Sequence, residues 1–68
     1  MSNSYPIEND SFYKRISQLS ATIGLNPAER VVFLSSFESW YHFQPYSVYS
    51  SICTAAISAL EELSHEKC

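Results

Sequence analysis

The stretch FESWYHFQPYSVY, residues 37–49, decides the fold because it combines a helix break with the densest aromatic segment of the chain. Six of its thirteen residues are aromatic. Proline removes a backbone donor and disfavours helical geometry in the residue before it. The dipeptide Gln44-Pro45 therefore predicts the end of one helix and the start of another.

A second break lies upstream, in GLNPAER, residues 24–30. Gly24 can adopt the left-handed conformation that closes a helix. Asn26 and Glu29 have the spacing of a capping box, with Pro27 at the first helical position between them. The two breaks predict three helices, at about residues 10–23, 27–43 and 46–65. The expected class is all-α: a small three-helix bundle, or a helical hairpin plus an extra helix, in dimeric form.

The chain has 68 residues, enough for one domain. A chain this short hides only about 60 % of the surface that its unfolded form exposes, so its stability is marginal. Its content of 46 % hydrophobic and 16 % charged residues favours a folded chain over a disordered one. We expect residues 1–9 to be a partly ordered tail, from which Tyr5 and Ile7 could pack over the bundle. Residues 10–68 should form a single helical domain.

The charge pattern argues against nucleic acid and against an anionic membrane as partners. The formal net charge is −3, and the four basic residues are scattered along the chain. Nucleic-acid and anionic-lipid binding draw most of their affinity from clustered Lys and Arg. The N-terminus carries no signal-like pattern, and no run of eighteen apolar residues occurs. We therefore expect a cytoplasmic protein that does not enter the membrane.

The sequence contains no motif that carries recognisable chemistry. A chain with a single glycine can hardly build a phosphate-binding loop or a dinucleotide fingerprint. Glu38 and His42 have the spacing of a solvated ion pair on a helix surface. The segment EELSHEKC, residues 61–68, lacks the four closely spaced ligands of a structural zinc site. We predict a protein that is not an enzyme, with no catalytic residue, no cofactor and no metal.

Helical periodicity predicts which side chains form the core. Apolar residues that recur every three or four positions share one face of a helix, and that face packs inward. Cys53 falls on such a face and should behave as a small hydrophobic residue. The predicted core consists of Phe12, Ile16, Leu19, Ile23, Phe33, Leu34, Phe37, Trp40, Ile52, Cys53, Ala56, Leu60 and Leu63.

The middle helix is apolar around an unusually large part of its circumference. Its apolar arc covers about 200°, whereas packing against one neighbour needs about 100°. Two neighbouring helices of the same chain could cover the whole arc, which would make it core. Yet two thin helices can hardly enclose every ring here, since each buries about 150–250 Å². We therefore predict that some rings face a partner, and we assign Tyr41, Phe43, Tyr46 and Tyr49 to that surface.

These features favour a binding module over an enzyme. We expect a homodimer, the commonest soluble assembly, that acts on another protein as a regulator, inhibitor, adaptor or chaperone. The alternative is a small transcription-associated regulator that contacts DNA, because three helices can form a helix-turn-helix. Its recognition helix would carry no basic residue before Lys67, however.

The alternative function, a small regulator, also has a form that contacts proteins and not DNA. The apolar pattern of SSICTAAISALEEL, residues 50–63, resembles that of the small acidic helical biofilm regulators and two-component connector proteins of enterobacteria. The resemblance covers one helix. It implies a regulator that works through protein contacts.

Overall fold

The computed structural model describes residues 5–67, and it folds them into three α-helices that follow a short 3-10 turn. The turn spans Ile7–Asn9, α1 spans Ser11–Thr22, α2 spans Pro27–Phe43 and α3 spans Tyr46–Lys67. No strand occurs within this described part of the chain. The predicted all-α class with three helices is confirmed, and the predicted helix limits lie close to the observed ones.

The helix ends follow from local chemistry. The Asn26 side chain accepts a hydrogen bond from the Glu29 backbone N–H at 2.9 Å, and the Glu29 side chain accepts one from the Asn26 N–H at 3.1 Å. This reciprocal pair is the capping box, and it starts α2. Gly24 has φ 90°, a conformation that costs a residue with a Cβ about 1–2 kcal/mol. Gln44 is extended, as expected before Pro45, and ends α2.

The helices alternate in direction along the chain. Arg30, in the first turn of α2, reaches back to Ser17 and Ser20 near the end of α1. At the other end of α2, the Tyr41 hydroxyl donates to the Tyr5 carbonyl ahead of α1, at 2.7 Å. Thus α2 runs antiparallel to α1, and α3 packs chiefly along α1. The result is a flat body of 39 × 22 × 16 Å.

The core lies between α1 and α3 and is closed on one side by α2. Phe37 stacks edge-on against Phe33 and against Trp40, with ring centroids 5.1 and 5.2 Å apart. The buried apolar residues are Ile7, Ile16, Leu19, Phe37, Tyr41, Tyr49, Cys53 and Leu60. The half-buried residues from the predicted core that pack against them are Phe12, Ile23, Phe33, Leu34, Trp40, Ile52 and Ala56.

Leu63 is a correction to the predicted core, because 46 % of it is exposed. The buried side of α3 is centred on Tyr49, Cys53 and Leu60. Leu63 lies at the margin of that side, in the last turns of the helix.

The segment before α1 contributes to the core. Ile7, in the 3-10 turn, is only 3 % exposed. The part of the predicted tail from residue 5 to residue 9 is therefore packed on the bundle. Residues 1–4 of that tail, and Cys68, lie outside the described residues.

Candidate interaction surface

Two of the four rings assigned to a partner surface lie in the core instead. Tyr41 is 1 % exposed and Tyr49 is fully buried. Each hydroxyl has an acceptor inside the chain: Tyr41 donates to the Tyr5 carbonyl, and Tyr49 donates to Asp10 Oδ2 at 3.2 Å. The placement of these two rings on the surface was wrong because a tyrosine can be buried once its hydroxyl has a partner.

Asp10 accepts hydrogen bonds from tyrosines of this aromatic segment, and its role was not predicted from the sequence. Its side chain caps α1 by accepting from the Tyr13 backbone N–H at 3.1 Å, and it is 5 % exposed. The Tyr46 hydroxyl donates to Asp10 Oδ1 at 2.6 Å, and Tyr49 shares Oδ2 with the cap. An aspartate directly ahead of a helix signals a cap. The two tyrosine partners could not be found from local pattern, since they lie 36 and 39 residues away.

Burial and the Asp10 carboxylate keep these hydroxyls protonated. The hydrogen bond to Asp10, together with burial, raises the pKa of Tyr46 to about 12. Burial is the main cause that raises the pKa of Tyr49 and of Tyr41. Burial also raises the pKa of the Cys53 thiol, so little reactive thiolate forms at neutral pH. The cluster is thus a set of neutral donors around one carboxylate, and it serves structure.

The other two assigned rings do reach solvent. Phe43, the last residue of α2, is 76 % exposed, and Tyr46 is 43 % exposed. The Tyr46 ring is held at its inner edge by Tyr49 and Phe12, with centroids 5.6 and 6.4 Å away. Phe43 is therefore the more exposed of the two rings.

Phe43 is one of a row of exposed residues along α2, because this helix is rotated relative to the orientation that the predicted core implies. The core predicted for this helix included Phe33, Phe37 and Trp40, whereas Tyr41 was assigned to the partner surface. In the structure Phe37 and Tyr41 are buried, whereas Phe33 and Trp40 are half-buried. The hydrogen bond from Tyr41 to the Tyr5 carbonyl holds α2 in this rotation.

The side of α2 turned away from the core exposes a row of uncharged residues, with the acidic Glu29 beside it at the N-terminal end. The row consists of five exposed residues, which we call the outer face: Ala28, Val32, Ser36, Ser39 and Phe43. Their spacing of three and four residues places them along one side of the helix. Val32 is 71 % exposed.

A shallow groove occupies the N-terminal end of the outer face. It has a volume of about 600 Å³ and is open to solvent. Leu25 forms one wall, immediately after the left-handed turn at Gly24. The residues around it are Leu25, Ala28, Glu29, Val32, Phe33 and Ser36. This groove could not be predicted from the sequence, because it depends on how the turn before α2 places Leu25.

Among residues 5–67, no three His, Cys, Asp or Glu side chains are grouped so that they could hold a metal ion. Within the same range, no helix has the length and apolar character needed to cross a membrane. His42 is exposed, and its ring lies edge-on to Tyr41 with centroids 5.4 Å apart.

Comparison with known proteins gives no relative. No family model matches the chain, and neither the curated proteins nor the solved structures contain a significant match.

Proposed function

We propose that this protein is a non-enzymatic binding module that attaches to another protein through the outer face of α2. The observation that carries the proposal is Phe43, which projects 76 % exposed from a face without charge. Covering an exposed Phe side chain contributes about 1.5–3 kcal/mol. Aromatic residues in such patches are the usual anchors of protein interfaces.

The positions of two cations favour a protein partner over a nucleic acid. Arg15 forms a 3.0 Å salt bridge with Glu61, and Arg30 contacts the Ser17 carbonyl and hydroxyl at 3.4 Å. Both guanidinium groups are thus engaged within the chain. A helix-turn-helix reader would use α3, whose exposed side chains include Ser51, Thr54 and Ser58 and not a row of cations.

A second copy of the chain is the simplest partner. Two-fold dimers are the commonest soluble assemblies, and association adds stability to a marginal domain by mass action. In this proposal the dimer works in the cytoplasm as a regulator, inhibitor, adaptor or chaperone. The buried, unpaired thiol of Cys53 fits a reducing compartment.

Two adjacent valines provide a matched control for the test. Val32 belongs to the outer face, whereas Val31 points elsewhere from α2 and is similarly exposed, at 66 %. The tagged full chain would be used as bait in its host cells with chemical crosslinking, beside the variants Phe43→Ser, Val32→Ser and Val31→Ser. We expect the wild type and Val31→Ser to capture the same proteins, including untagged chain, and Phe43→Ser to bind them at least tenfold more weakly.

Circular dichroism should show the same helix content in all four proteins, because each substituted side chain is exposed. If every captured protein, the untagged chain included, binds Phe43→Ser as well as wild type, the outer face is not the binding surface.

A further inference from the structure

The two ends of the outer face differ in shape. The C-terminal end carries a projection, the exposed ring of Phe43. The N-terminal end carries the open groove walled by Leu25, Val32 and Phe33. Phe43 and Val32 are eleven residues apart, which is about 16 Å along a helix. A projection and a recess therefore lie on the same side of α2, about three turns apart.

This arrangement is complementary to itself under a two-fold rotation. In an isologous interface, residue i of one copy contacts residue j of the other, and residue j contacts residue i. If two α2 helices lie antiparallel across an axis midway between Phe43 and Val32, each Phe43 reaches the groove of the other copy. A parallel pairing in register would instead place the two Phe43 rings together and the two grooves together.

Resting on the proposed function, we infer that the outer face binds a second copy of this chain in antiparallel orientation, with Phe43 of each copy seated in the groove of the other.

Charge supports a second copy as the occupant. The chain has a net charge of −3, so most of its surfaces would repel a copy of themselves. The outer face carries no charged side chain, so two copies can meet there without like charges opposed. Glu29, at the rim of the groove, has its carboxylate engaged by the Asn26 N–H of the capping box.

Side-chain size supports the antiparallel crossing. The axis passes between Ser36 and Ser39, the two small residues of the outer face that lie midway between Val32 and Phe43. Helices approach as closely as their contact residues allow, within about 8–10 Å between axes. Small residues at the centre let the axes come close, and that approach brings the Phe43 ring down to the opposite groove.

The expected area makes this a weak dimer. A helix of 17 residues is about 25 Å long and about 10 Å wide with its side chains. Two such faces, with the groove walls, bury on the order of 1,000 Å² in total, near the lower limit for a specific interface. We therefore expect micromolar dissociation, with monomer and dimer in exchange.

A charge-pair experiment tests both the partner and the orientation. The variants Phe43→Glu and Val32→Lys would be prepared as full chains and studied by sedimentation velocity, alone and as an equimolar mixture. Alone, each should self-associate at least tenfold more weakly than wild type, because each places two charges against apolar groups. Mixed, they should form a heterodimer in which Glu at position 43 faces Lys at position 32 and the other Phe43 keeps its native groove.

The control mixture pairs Phe43→Glu with Val31→Lys, which brings the same charges but places the lysine off the outer face. In that mixture Val31→Lys should dimerise with itself as wild type does, Phe43→Glu should stay largely monomeric, and the heterodimer should not form as it does in the first mixture. Added salt should weaken the heterodimer of the first mixture. Circular dichroism of each variant would verify that it folds.

Two results would overturn the inference. If wild type dimerises through Phe43 but the first mixture remains monomeric, the antiparallel seating is wrong, while the proposed binding function stands. If wild type is monomeric up to high micromolar concentration, a second copy is not the occupant, and the crosslinking experiment with the matched valines decides the function by itself.

Discussion

Asp10 links parts of the chain that are far apart in sequence. One carboxylate caps α1 and accepts hydrogen bonds from Tyr46 and Tyr49 at the start of α3. A buried carboxylate is costly unless its oxygens are hydrogen-bonded, and here both are. The position of the first turn of α3 is therefore set by a polar contact as well as by apolar packing.

We predict that Asp10→Ala lowers the free energy of unfolding by roughly 2–4 kcal/mol, since it removes a helix cap and leaves two tyrosine hydroxyls without their acceptor. Asp10→Asn should cost less, because asparagine also caps helices and keeps one acceptor oxygen. Urea unfolding followed by circular dichroism at a fixed protein concentration measures both. The exposed neighbour Glu8 provides the control, since Glu8→Ala should change stability by less than about 0.5 kcal/mol. Equal effects at positions 8 and 10 would contradict the role given to Asp10.

The same contact predicts how stability depends on alkaline pH. The pKa of Tyr46 is about 12 in the folded chain and about 10 in an unfolded one. Because the folded state holds this proton more tightly, the contribution is fully present below about pH 10 and is lost as the pH rises towards about 12. We expect the free energy of unfolding to fall across that window, and to fall less steeply in Tyr46→Phe. Urea unfolding at a series of pH values, with tyrosinate absorbance as the titration signal, measures this. Identical slopes for wild type and Tyr46→Phe would refute it.

At the scale of elements, the segment around Ile7–Asn9 is more firmly packed than a partly ordered tail. Packing of Ile7 was left open by the sequence, because this residue follows Tyr5 and Pro6 but no helical periodicity marks it as core. The structure buries it against the bundle, and the adjacent Tyr5 carbonyl accepts the hydrogen bond of Tyr41. The segment before α1 thus contacts α2 through the Tyr5 carbonyl and takes part in fixing the rotation of that helix.

We predict that Ile7→Ala costs about 2–4 kcal/mol of unfolding free energy, in the range of other buried isoleucine truncations. Tyr5→Ala should cost much less, because the Tyr5 side chain is 58 % exposed and the carbonyl that it contributes remains. Thermal and urea unfolding of the two variants would measure the difference. A negligible effect at Ile7 would mean that this segment is a tail after all.

The helix limits were predictable because their signals are local. Gly24, the Asn26 and Glu29 pair, and Gln44-Pro45 act within a few residues of themselves, so one sequence is enough to read them. The rotation of α2 was not predictable in this way. It depends on Tyr41 meeting the backbone of Tyr5, 36 residues away, and helical periodicity gives no information about such a partner.

At the scale of the whole molecule, the total accessible surface is typical of a chain of this size, but exposed apolar residues are concentrated on one side of α2. The accessible surface is 4433 Å², close to the roughly 4,300 Å² expected for a folded chain of this mass. The chain is thus as compact as other small domains. Only one side of α2 covers the core, and the opposite side exposes Val32 and Phe43 among serines. The sequence predicted exposed rings on α2 and at the start of α3. Phe43 and Tyr46 are exposed as predicted, Tyr41 and Tyr49 are buried, and the exposed Val32 was not assigned to the surface.

The contact between Asp10 and α3 also has a consequence for biosynthesis. Asp10 is added by the ribosome 36 residues before Tyr46 and 39 residues before Tyr49, so the carboxylate is made before its two phenol donors exist. Over that interval the nascent chain holds a capped α1 and a growing α2 without the helix that completes their core. The contacts that join the start of α3 to Asp10 therefore form only after α3 has been made, and until then the apolar faces of α1 and α2 lack the helix that covers them.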